Sequence, residues 1–160
     1  MGKRIETDHA MCPSAQPGMD QARVLGVVNR TPEGSRVSYL NAALPVTEEV
    51  LQLVSPAPPL RVLRIAARCE EERCTHFDGQ ICTLASRIVE TLAVVTDSLP
   101  PCVVRKSCRW FAEQGRPACV RCPQIVTEAD RDRMNPRLGQ PQTKAPADRK
   151  AHSAGIKLSP

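Results

Sequence analysis

The sequence predicts an α+β fold: a small metal-stapled domain with a β-hairpin, a third strand, one long amphipathic helix and cysteine-bearing loops. Three observations point to it. Two short β-branched runs flank a turn early in the chain. An apolar stripe at helical spacing follows residue 78. Seven of the eight cysteines fall between Cys69 and Cys122.

The elements follow in order. Residues 1–21 mix polar side chains with Pro13, Pro17 and Gly18 and have no apolar period, which reads as a flexible N-terminal arm. Cys12 lies in this arm and reads as a spare thiol. Residues 23–28 (Arg-Val-Leu-Gly-Val-Val) and 36–40 (Arg-Val-Ser-Tyr-Leu) read as strands. The Thr31-Pro32-Glu33-Gly34-Ser35 segment between them has turn chemistry, with proline early and glycine late. Thr47 can cap a short helix whose first turn holds Glu48 and Glu49, and Val46 can pack on Leu51 as a staple. Pro56, Pro58 and Pro59 stop that helix. Residues 60–67 (Leu-Arg-Val-Leu-Arg-Ile-Ala-Ala) read as the third strand, leading into Cys69.

The long helix is expected after Asp78, its N-cap. Ile81, Leu84, Ala85, Ile88, Val89 and Leu92 make one apolar stripe, read as core packing. A second helix is expected over residues 104–114, ended by Gly115 with Pro117 beyond. Residues 118–122 form a tight loop closed by Pro123. The remainder is polar, proline-dotted and basic. The expected organisation is an arm at 1–21, a cysteine-rich metal-binding domain at 22–127 and a disordered basic tail at 128–160.

Composition explains why a staple is needed. Tyr39, Phe77, Trp110 and Phe111 are the only aromatic residues, and 15 prolines and 8 glycines interrupt the chain. So small a core commonly relies on disulfides or metal. The basic start has no apolar run behind it, unlike a secretory signal. No apolar stretch approaches the roughly 18 residues of a membrane span. The expected setting is cytoplasmic, with no membrane partner, where thiols stay reduced and bind metal rather than pair.

The cysteines run Cys69-x4-Cys74-x-His76-x5-Cys82, then Cys102-x5-Cys108-x10-Cys119-x2-Cys122. Four ligands are what a structural zinc or an iron–sulfur cluster requires. Cys69, Cys74, His76 and Cys82 form one candidate metal set; Cys12 could replace His76, at a greater distance in sequence. Cys102, Cys108, Cys119 and Cys122 form a candidate cofactor-binding set. A single centre drawn from both groups, with the other cysteines as buried fillers, is an open alternative. Cys119 and Cys122 are spaced to reach one metal from a single turn. The other spacings are irregular, which a cluster tolerates better than zinc does, and Phe77, Trp110 and Phe111 could shield it from water. An iron–sulfur cluster, 4Fe–4S in one or two centres, therefore ranks ahead of zinc.

The net charge of +5 divides into −1 for residues 1–60, +3 for 61–127 and +3 for 128–160. Arg68, Arg73, Arg105, Lys106, Arg109 and Arg121 lie within three residues of a cysteine, where cations can offset thiolate charge. Nucleic-acid binding is permitted by this charge but not indicated.

Residues 118–123 (Ala-Cys-Val-Arg-Cys-Pro) resemble part of the WhiB-like iron–sulfur regulators. The close third cysteine downstream and the Gly-Trp turn of that family are absent, and neither its fold nor its regulatory activity is carried over. No phosphate loop, nucleophile elbow or His-Glu-x-x-His motif is present, so an enzyme is not indicated. The expected function is that of a small cytosolic iron–sulfur protein in electron transfer or redox sensing, with a protein redox partner. The alternative is a zinc-stapled module that binds protein or nucleic acid.

Overall fold

A computed structural model describes residues 9–127; the expected tail at 128–160 lies outside them. The fold is α+β. Four antiparallel strands form a sheet in the order β1-β4-β2-β3, with β1 at Met11–Cys12, β2 at Arg23–Thr31, β3 at Gly34–Pro45 and β4 at Leu63–Arg68.

The β2–β3 hairpin forms where the turn chemistry placed it, and its strands run further than expected. Thr31 pairs with Gly34 across Pro32 and Glu33. The Thr31 hydroxyl donates to the Gly34 carbonyl at 2.6 Å, and Gly34 takes a φ of +119° that a side chain would resist. A bulge between Val24 and Gly26 shifts the register of β2 against both neighbours.

Strand β4 organises the interior. By strand alternation, Leu63, Ile65 and Ala67 share one face. They pack with Ala15, Val24, Val46, Val50 and Val54, beneath helices α1 (Glu48–Val54) and α2 (Pro59–Val62). Thr47 caps α1 as expected, accepting from the Val50 amide at 3.3 Å. The opposite face carries Arg64 and Ala66; Ala66 joins Met11, Leu25 and Val104. A third cluster joins α3 (Thr83–Thr91), α4 (Arg109–Gln114) and α5 (Arg116–Cys119) through Leu84, Ala85, Ile88, Trp110, Ala118 and Ile125.

The helices depart from expectation. The one long amphipathic helix is absent: α3 has nine residues. Asp78 does not cap it. Its Oδ1 accepts the amides of Gln80 at 2.9 Å and Ile81 at 2.8 Å, closing a separate turn. Phe77 and Cys82 then pair as a β-bridge, so helix begins only after Cys82, and Ile81 is left 42% exposed. At the other end, Arg121 Nε holds the Leu92 carbonyl at 2.7 Å and Gln124 Nε2 holds that of Ala93 at 2.7 Å. The chain leaves extended. The helix expected over 104–114 is also split, into a 3-10 turn at Arg105–Ser107 and α4. Cys108 between them is extended because it bridges to Met11.

The expected arm needs correction as well. Met11 pairs with Arg68 and Cys12 with Ala67, and Ala10, Met11 and Ala15 are buried. Residues 10–15 therefore belong to the domain. Among the described residues no helix is long and apolar enough to cross a membrane.

Candidate metal centres

All eight cysteines are free thiols, and the fold gathers them into two sets of four. The outer set is Cys12, Cys69, Cys74 and Cys82, which line one broad basin. Strand β1 supplies Cys12. Cys69 follows β4, its amide held by the Ala10 carbonyl at 2.8 Å. The 3-10 turn Glu71–Arg73 presents Cys74, and Cys82 is the N-cap of α3. The thiol of Cys12 is close enough to Cys69, Cys82 and Cys74 to feel their charge.

His76 also lines this basin. Its amide donates to Cys74 Sγ at 3.4 Å, and its carbonyl accepts from the amide of Thr83 at 2.7 Å and its hydroxyl at 2.9 Å. Its backbone thus ties the Cys74 loop to the start of α3. Cys12, distant in sequence, provides the fourth thiol of this group.

The inner set is Cys102, Cys108, Cys119 and Cys122. They line a second cavity with Pro13, Leu25, Tyr39, Arg105 and Trp110. Measured at the centre of a water-sized sphere it is about 20 Å³, which corresponds to a void roughly 6 Å across. The Cys108 thiol feels the charges of Cys122, Cys102 and Cys119.

The His76 amide donates to Cys74 Sγ at 3.4 Å. The amides of Ser14, Leu84, Ala85, Val104 and Phe111 lie near enough to Cys12, Cys82, Cys102 and Cys108 to oppose the rise that burial imposes on these thiols. Each favours the thiolate. Arginines add charge. Arg109 Nη1 lies 3.9 Å from Cys69 Sγ and 2.7 Å from Glu71, while its Nε meets Glu113 at 2.8 Å. Glu113 in turn accepts the Cys82 amide at 2.8 Å. In the inner set, Arg64 Nη2 donates to Cys122 Sγ at 3.4 Å, and the Arg105 guanidinium lies near enough to Cys119 to oppose the rise of its thiol.

Burial still dominates the thiols. It pushes Cys12 up to about 12 and raises Cys108, Cys82, Cys102 and Cys119, with neighbouring thiols adding to the rise. Without a cation these sulfurs hold their protons at neutral pH. Ligation would have to displace them.

Arg64 was not foreseen as a site residue. It is 0% exposed. Its guanidinium also donates to the carbonyls of Pro13 and Ile125, each at 2.5 Å, and lies 5.6 Å from the Trp110 ring centre. One side chain thereby ties the N-terminal segment, the C-terminal segment and Cys122 together. The sequence signal was a lone cation inside the apolar run Leu63–Ala67. Trp110 is 1% exposed, and its Nε1 finds no partner among the described residues.

Among the described residues, no three His, Cys, Asp or Glu side chains are arranged to hold a single metal ion. No family model matches the chain, and neither curated proteins nor solved structures give a significant match.

Proposed function

We propose that this chain is a small iron–sulfur protein with two four-thiolate centres, acting in electron transfer or redox sensing. The observation that carries the reading is the convergence of eight thiols into two sets of four, with amides and arginines near the sulfurs. The outer centre would be held by Cys12, Cys69, Cys74 and Cys82, the inner by Cys102, Cys108, Cys119 and Cys122.

Spacing favours a cluster over zinc. Thiolates on one zinc, each about 2.3 Å from the metal, come within about 4 Å of one another. The described donors are not gathered so tightly around a point. A cluster is gripped at its corners and suits a wider cage, such as the roughly 6 Å void of the inner set. The donor set fits too. An unpaired buried N–H costs about 1–3 kcal/mol, and Trp110, whose Nε1 finds no partner among the described residues, lines both cavities, where a bound cluster's sulfur could accept from it.

When bound, such a cluster supplies a one-electron couple tuned by net charge, hydrogen bonds to sulfur and solvent exposure. The chain's own contribution is to place those controls. Arg64 directs a donor at the inner sulfurs, with the Arg105 cation beside them, and Arg109 directs one at the outer set. Trp110, Leu25 and Pro13 present apolar surface to the inner set.

Anaerobic purification from iron-replete cells tests the proposal. A brown protein containing iron and acid-labile sulfide, partly bleached by Cys119→Ala, is the expected result. A colourless, iron-free protein would overturn it. Stoichiometric zinc in that sample would instead favour a zinc-stapled interaction module, which the Cys119-x2-Cys122 pair also permits.

A further inference from the structure

We propose that the two thiol sets form one electronically coupled pair, with Trp110 between them. This rests on the two-centre reading above and adds to it how the centres relate.

The coupling argument is geometric. Trp110 lines both cavities and is 1% exposed, so one buried residue forms part of the wall of each. Three consecutive residues serve three parts of the arrangement. Cys108 belongs to the inner set, Arg109 reaches Cys69 of the outer set, and Trp110 stands between. A second link runs through backbone. Met11 pairs with Cys108 as a parallel bridge, and the residue after Met11 is Cys12 of the outer set. A ligand of one centre is thus a single peptide step and one backbone pairing from a ligand of the other. Pro13, next again, lines the inner cavity and accepts from Arg64, which also donates to Cys122.

The basin measures about 910 Å³ and the smaller cavity about 20 Å³. When an external one-electron donor reduces the pair, the donor loses one electron, the pair gains one, and no bond is made or broken in the protein.

The test uses the full chain, anaerobically loaded and reduced with dithionite. Two 4Fe–4S centres give about eight irons per chain. At that loading, the low-temperature electron paramagnetic resonance spectrum of the fully reduced protein is expected to be broadened and split by interaction between two spins. Half-reduced samples should show a simple, unsplit signal. A sample with about eight irons whose fully reduced spectrum is two superimposed isolated signals overturns the coupling and leaves the two-centre reading intact. A loading of about four irons overturns both.

Discussion

Replacing Cys12 by alanine separates two ligand sets that differ by a single side chain. The outer basin contains both Cys12 and His76. If Cys12 is the fourth thiolate, Cys12→Ala should lower iron from about eight to about four per chain, with acid-labile sulfide falling in step. His76→Ala should leave iron near about eight, because the main chain of His76 donates to Cys74 and accepts from Thr83, and alanine keeps both contacts. The metal-free fold should barely notice the first change. Cys12 pairs with Ala67 through its backbone, which alanine preserves, and loss of one buried sulfur costs on the order of 1 kcal/mol. A large iron deficit beside a small shift in metal-free melting therefore marks a ligand rather than a packing residue. The assay is colorimetric iron and sulfide on anaerobically reconstituted protein, with visible absorbance expected to fall by about half. Full iron in Cys12→Ala together with a deficit in His76→Ala would refute the assignment and make His76 the ligand.

Three further outcomes follow from the same geometry. Arg64→Gln should lower the potential of the inner centre: losing about 1 kcal/mol of stabilisation of the reduced state is roughly 40 mV for one electron, readable by redox titration, and an unchanged or raised potential contradicts it. Gly26→Ala should destabilise the fold by about 1–3 kcal/mol in denaturant unfolding, since a Cβ there would meet Val37 Cγ1 at 2.8 Å and press on the Ser38 carbonyl oxygen. The metal-free protein should lose stability as pH rises from 9.0 towards about 12, because the unfolded chain then sheds a proton that buried Cys12 retains; the raised Cys108 and Cys82 thiols add with the same sign, and a melting temperature that climbs over this range contradicts the assignment.

The hairpin was legible because its signal is local. Thr31 to Ser35 carries the turn, and the β-branched runs on each side need nothing else to become strands. The cap at Thr47 was legible for the same reason. The long helix was misread because the stripe from Ile81 to Leu92 records burial and says nothing of where hydrogen bonding begins. Asp78 was free to close its own turn, and the pairing of Phe77 with Cys82 consumed the residues that would have made the first turn. Cys12 was underweighted for a related reason. Spacing in sequence measures how readily neighbours meet, whereas β1 reaches Cys69 and Cys108 by sheet pairing, which sequence distance does not limit. Arg64 escaped notice because its role depends on Pro13, Cys122 and Ile125 arriving together, and no local pattern encodes that.

The strongest rival to a metal-binding reading is that these cysteines are fillers, since free cysteine packs as a small apolar residue. Cys82 and Cys108 do sit in the same apolar cluster as Ile88 and Trp110, at 8% and 6% exposure. Burial alone cannot separate the two readings, but hydrogen bonding can. A filler thiol asks nothing of the backbone around it, and alanine would serve almost as well. Here the His76 amide donates to Cys74, fully buried Arg64 donates to Cys122, and Arg109 approaches Cys69. A neutral thiol is a weak acceptor that repays such an arrangement poorly, whereas a thiolate repays it well. Yet burial holds several of these same thiols protonated at neutral pH. Donors for the anion around sulfurs buried where the anion cannot persist alone support the proposal that a cation shares the cavity.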